Sequence, residues 1–121
     1  MSNNNNIDNL LLNKFIENSS FTKRQIQIIY KIYNREERLK DISSGAYYRE
    51  VKQCKDKIRK LYYSILILNL IGVINIEQLT TLNSLIHKLD KLKDNHIIHH
   101  NNTTEPVIHI IEKLLDKMIL L

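Results

Sequence analysis

An all-α fold of about five helices is the class predicted for this 121-residue chain, and three observations predict it. Gly and Pro, the usual punctuation of turns, number only two and one, which favours a few long helices over many short strands. Apolar residues recur at alternating spacings of four and three over long stretches, the period of a helix face. The hydrophobic fraction of 43% suffices for a packed core, and a chain this long has room for one domain.

Residues 1–6 (MSNNNN) are polar and low in complexity and read as a disordered tail, which leaves residues 7–121 as a single helical domain. A short helix is expected from Ile7 to Glu17, with Ile7, Leu10, Leu11 and Phe15 on one side, before Asn18, Ser19 and Ser20 break it. Thr22 is a good N-cap for the next helix, and Gln25 completes a capping box. That helix presents Ile26, Ile29, Tyr30 and Tyr33 at helical spacing, carries Lys23, Arg24 and Lys31 elsewhere, and is expected to end near Asn34. One or two further turns are expected over residues 35–42, with Leu39 and Ile42 as apolar contacts.

Ser43 and Ser44 are candidate N-caps for the longest element. From Tyr47, a stripe of Val51, Cys54, Ile58, Leu61, Ile65 and Leu68 keeps one face apolar. It predicts a helix from about Ser44 to Ile71, roughly 40 Å long at 1.5 Å per residue, with a break near Leu61 as the alternative. The first half is basic on its other faces; the second half is apolar nearly all round and calls for cover from the domain or a partner. Gly72 is placed to end the helix in a left-handed cap. A helix over about 77–93 follows, striped by Leu79, Leu82, Leu85, Ile86, Leu89 and Leu92. Residues 94–104 read as a polar loop, Thr104 as a cap and Pro106 as a first-turn residue of the last helix. This helix carries Val107, Ile108, Ile111, Leu114, Leu115, Met118 and Leu121.

The chain has a net charge of +5, unevenly spread. Phe21 to Tyr63 holds twelve Lys or Arg against five Asp or Glu, a net of +7, and the remainder is net −2. A localised basic segment is the electrostatic footprint of a polyanion partner. Arg49, Lys52, Gln53 and Lys55 are long and polar enough to reach base edges, and Tyr48 has a hydroxyl for sugar or phosphate. Lys23, Arg24 and Arg59 complete the candidate DNA-binding set. The plainer reading of the same charges is a solvated lysine-rich surface.

The segment 21–74 resembles the core of small archaeal helix-turn-helix, winged-helix-like transcription-regulator-like proteins. FTKRQIQIIYKIY is similar to their opening helix. SSGAYYREVKQ, with Gly45 in the turn, is similar to a turn entering a recognition helix whose Val51 and Cys54 face the core. LILNLIGVI, with Gly72, is similar to the helix end that leads into a wing. The resemblance implies duplex-DNA binding and transcriptional regulation, with residues 77–121 as a helical C-terminal part. The long stretch of apolar surface in the last helix suggests a homodimer through Ile111, Leu114, Leu115 and Met118. The rival reading is a helical protein–protein interaction module without nucleic-acid binding.

Other classes find little support. Cys54 is the only cysteine, so neither an internal disulfide nor a multi-thiol zinc site can form, and on the apolar stripe a buried, inert thiol is expected. No phosphate loop, nucleophile motif or paired carboxylates in an apolar setting argue for catalysis. Neither a cofactor nor a small-molecule ligand is indicated. His96, His99 and His100, with Asp94 and His109 nearby, lack a metal-site spacing and read as a surface loop. The N-terminus lacks a signal-peptide pattern, and the most apolar stretch, Ile65 to Ile76, is too short to span a bilayer. A cytoplasmic location is expected.

Overall fold

The computed structural model describes residues 10–94 and 101–121, so the expected tail at 1–6 and the histidines at 96, 99 and 100 lie outside the described residues. Five helices and no strand appear among the described residues: α1 (Leu10–Glu17), α2 (Lys23–Tyr33), α3 (Ser44–Leu70), α4 (Ile76–Asp94) and α5 (Asn101–Met118). The all-α class stands. The described residues divide into two compact units, residues 15–63, and residues 10–14 together with 64–94 and 101–121. The division falls inside α3, which is nevertheless one unbroken helix with no kink-forming Pro or Gly after its first turn. A break near Leu61 is absent.

Local chemistry sets most boundaries. The Thr22 hydroxyl accepts from the Gln25 amide at 3.1 Å, and the Thr22 amide donates to the Gln25 side chain at 2.9 Å, so the capping box that starts α2 is complete in both directions. Ser43, the earlier of the two candidate caps, starts α3: its hydroxyl accepts from the Ala46 amide at 3.1 Å. Gly45 therefore lies inside the first turn of α3 and not in a preceding turn. Gly72, at φ +88°, closes α3. Its amide donates to the Asn69 carbonyl, and the Val73 amide reaches back to Leu68, the two bonds of a Schellman cap. Asn75 and Gln78 form a second reciprocal cap, at 2.7 and 3.1 Å, and start α4.

Residues 35–42 do not make the further helical turns expected of them. Arg35 stops α2 in the left-handed conformation at φ 56°. Its amide donates to Ile32 and the Glu36 amide to Lys31, a Schellman cap built on a residue that pays for that conformation with its Cβ. The segment then crosses to α3 as irregular chain, held by the Arg38 guanidinium, which donates to the Leu39 and Ile42 carbonyls at 3.1 and 3.2 Å.

In the unit of residues 15–63 the core is Ile28, Tyr47 and Cys54, with Ile29, Leu39, Ile42 and Val51 packed against it. The α3 stripe follows its spacing except at Leu61: Tyr47 and Cys54 are buried, Val51, Ile58, Ile65 and Leu68 half-buried, and Leu61 is exposed. In the other unit Leu11, Ile108 and Ile111 are buried, and Lys14 of α1 lies 3.9 Å from Glu105 of α5. The last helix begins at Asn101, earlier than expected, so Thr104 and Pro106 lie within it. Proline has no N–H, so the carbonyl of residue 102 lacks its helical donor.

Candidate nucleic-acid interface

The candidate residues sit on α2 and α3, and their packing sorts them. On α3 the core stripe turns Tyr47, Val51, Cys54 and Ile58 toward α2 and residues 39–42. At about 100° per residue, Tyr48, Lys52, Lys55 and Arg59 then fall together on one flank of the stripe, with Arg49 and Gln53 toward the side away from it. All six are exposed.

The ion pairs decide which cations remain available. Arg24 does not face solvent as a free cation. Its Nη1 and Nη2 donate to Asp41 at 3.2 and 3.4 Å, and its Nε donates to Glu50 at 3.2 Å. Hydrogen bonding to Asp41 holds its pKa above the ordinary value; burial opposes this, and the charges of Asp41 and Glu50 add to it. Arg24 thus ties α2 to the connecting segment and to α3. Arg59 pairs with Asp56, one turn earlier, at 2.7 Å. Lys31 pairs with Glu36 at 3.7 Å and Lys40 with Glu37 at 2.8 Å. Every carboxylate between Phe21 and Tyr63 is therefore in an ion pair with Arg24, Lys31, Lys40 or Arg59. Among the described residues, no ion pair involves Arg49, Lys52 or Lys55. Lys23 is exposed on α2 and also has an interaction within the chain.

Three side chains matter that sequence reasoning did not single out. Lys57 is basic but turned inward. Its amine donates to the Ser20 carbonyl and, at 2.9 Å, to Gln25, and it lies 5.4 Å from the centre of the Phe21 ring. It fastens the entry to α2 onto α3. Its position beside Ile58, near the core stripe, was the available signal. Tyr62 and Tyr63, 65% and 67% exposed, follow directly after the basic stretch. Tyr48 is also exposed and packs edge-on against the buried Tyr47, with ring centres 5.3 Å apart at 82°.

Burial of the Cys54 thiol raises its pKa, with Glu50 adding and Lys57 opposing. The thiol is 2% exposed, with the Gln25 carbonyl 3.9 Å away. Among the described residues no group of three or more His, Cys, Asp or Glu side chains is placed to hold a metal, and no described helix is long and apolar enough to cross a membrane.

The expected dimer contacts on α5 need correction. Ile111 is buried within the chain, Leu114 and Met118 are half-buried, and Leu115 alone of the four is exposed. The α5 stripe is largely used up inside its own protomer. The features behind the helix-turn-helix resemblance are also arranged differently. Residues 34–43 join α2 to α3, a longer link than the roughly three or four residues of a helix-turn-helix. Beyond Gly72 the described chain turns into α4, with no hairpin. No protein-family model matches this chain, and neither a curated protein nor a solved structure matches it.

Proposed function

We propose that the protein binds duplex DNA through the first half of α3, most simply as a transcriptional regulator. The observation that carries this reading is the set Arg49, Lys52 and Lys55. They are exposed on successive turns of one rigid helix, while the neighbouring carboxylates are taken up by other cations. Cations of this kind neutralise backbone phosphates and release counterions, which gives affinity without sequence preference. Gln53 and the Tyr48 hydroxyl lie within the same exposed surface and supply hydrogen bonds to bases or sugars. Arg24 and Arg59 hold the fold in this reading and contribute less to the contact.

A mobility-shift titration of the full chain against a random duplex at low salt tests the proposal. Retardation that fades as salt is raised supports it. A chain that retards no duplex at low salt is not a DNA-binding protein. The interaction-module reading draws on a different observation, the exposed apolar residues Tyr62, Tyr63, Leu66, Ile67 and Leu70 on the second half of α3.

A further inference from the structure

The second half of α3 has an apolar face on each side. The inner one is half-covered through Ile65 and Leu68. The outer one is Tyr62, Tyr63, Leu66, Ile67 and Leu70, at 65, 67, 63, 57 and 84% exposure. At the helical angle these five span well under half of the helix circumference and so form one strip. From Leu61 to Ile76 the sequence contains no Asp, Glu, Lys or Arg, so no charge interrupts the strip or flanks it on α3's C-terminal side.

We infer that the occupant of this strip is a second copy of the chain, packed antiparallel across a two-fold axis near Leu66. Two arguments select that occupant. The five side chains, each more than half exposed, supply the apolar centre of an interface in which each partner of a standard pair buries ~800 Å². A two-fold contact also sets each residue near the axis against its own copy, which a charged surface resists and an uncharged one accepts. The basic half of α3 cannot meet itself in this way. A parallel pairing would run Lys52 and Lys55 of the two copies side by side, whereas an antiparallel pairing sends them to opposite ends. Tyr62 of one copy then lies beside Leu70 of the other.

Sedimentation of the full chain without nucleic acid tests the dimer separately from DNA binding. The wild type is expected at dimer mass at micromolar concentration, and a Leu66→Glu/Leu70→Glu variant at half that mass with unchanged helical circular dichroism. A wild type at monomer mass, or a variant still at dimer mass, overturns the inference. As a second measurement that leaves the strip intact, spin labels at Lys52→Cys in a Cys54→Ala background report the orientation. A separation of about 40 Å is expected for the antiparallel pair from the helical rise; one under about 20 Å marks parallel packing and overturns it. A proven dimer that binds no duplex would refute the DNA reading alone.

Discussion

The two halves of α3 share one inner stripe and differ on the outside. In the first half the stripe closes a core with Ile28, and the outer face is Tyr48, Lys52, Lys55 and Arg59. In the second half the stripe continues through Ile65 and Leu68, but the outer face is Tyr62, Leu66, Ile67 and Leu70. A helix with one apolar face is completed by its own domain. A helix with two has something left over, and the same periodicity argument that finds the first face does not say what covers the second. The first half therefore reads as a contact for a charged partner and the second as a contact for an apolar one.

The contrast is broken or upheld first by stability. Ile28 is 0% exposed in the α2–α3 core, so Ile28→Ala is expected to cost about 2–5 kcal/mol through lost contacts and a residual cavity. Leu70→Ser removes a side chain that the protomer leaves 84% exposed, and in monomeric chain its cost should stay within about 0.5 kcal/mol. Urea denaturation of the two variants at low protein concentration measures both. Equal costs would mean that the outer strip is part of the protomer's own core.

A smaller effect is expected at Arg35. Its left-handed backbone at φ 56° favours glycine, and its side chain is exposed. Arg35→Gly should raise the midpoint of denaturation, by about 1 kcal/mol of relieved strain less the entropy that glycine adds to the unfolded chain. A fall in stability would mean that the Arg35 side chain holds the cap.

Alkaline pH probes the same core more gently. Burial raises the pKa of Tyr47, with Tyr48 and Cys54 adding and Arg38 opposing, and burial also raises that of the Cys54 thiol. Both groups are neutral when folded and ionise more readily when unfolded. Their contribution is complete below the ordinary thiol value of 9.0 and is lost as pH rises through the folded values. Stability measured by denaturant should therefore decline above about pH 9, and Cys54→Ala should flatten the early part of that decline. A thiol that reacts with a reagent as fast as a free cysteine at neutral pH would contradict its burial.

Much of the fold was legible in the sequence because its signals are local. The Thr22–Gln25 capping box, the Gly72 stop and the Tyr47-to-Leu68 stripe each lie within a few turns of chain. What was not legible depends on distance. Nothing near Arg24 announces that Asp41 and Glu50 will converge on it, so a basic residue on a helix looked like a free cation. Residues 35–42 looked helical because the stop is made by Arg35, in a conformation usually marked by Gly or Asn. Residues 101–104 (NNTT) looked like loop because Asn and Thr are poor helix formers and Pro106 follows, yet α5 includes them. Ile111 looked like interface because periodicity marks an apolar face without saying whether the same protomer covers it. The Arg49–Lys52–Lys55 row was recognised, since its exposure follows from the stripe behind it.

The most direct test of the account is the slope of binding affinity against salt for a short duplex, measured for the wild type and for Arg49→Gln/Lys52→Gln/Lys55→Gln. If these three cations each neutralise a phosphate, the variant's log–log slope should be shallower by about 2–3, at roughly 0.9 per phosphate, with its helical spectrum unchanged. Identical slopes for the two proteins, or no binding by the wild type at low salt, would contradict the claim that the first half of α3 is a nucleic-acid contact.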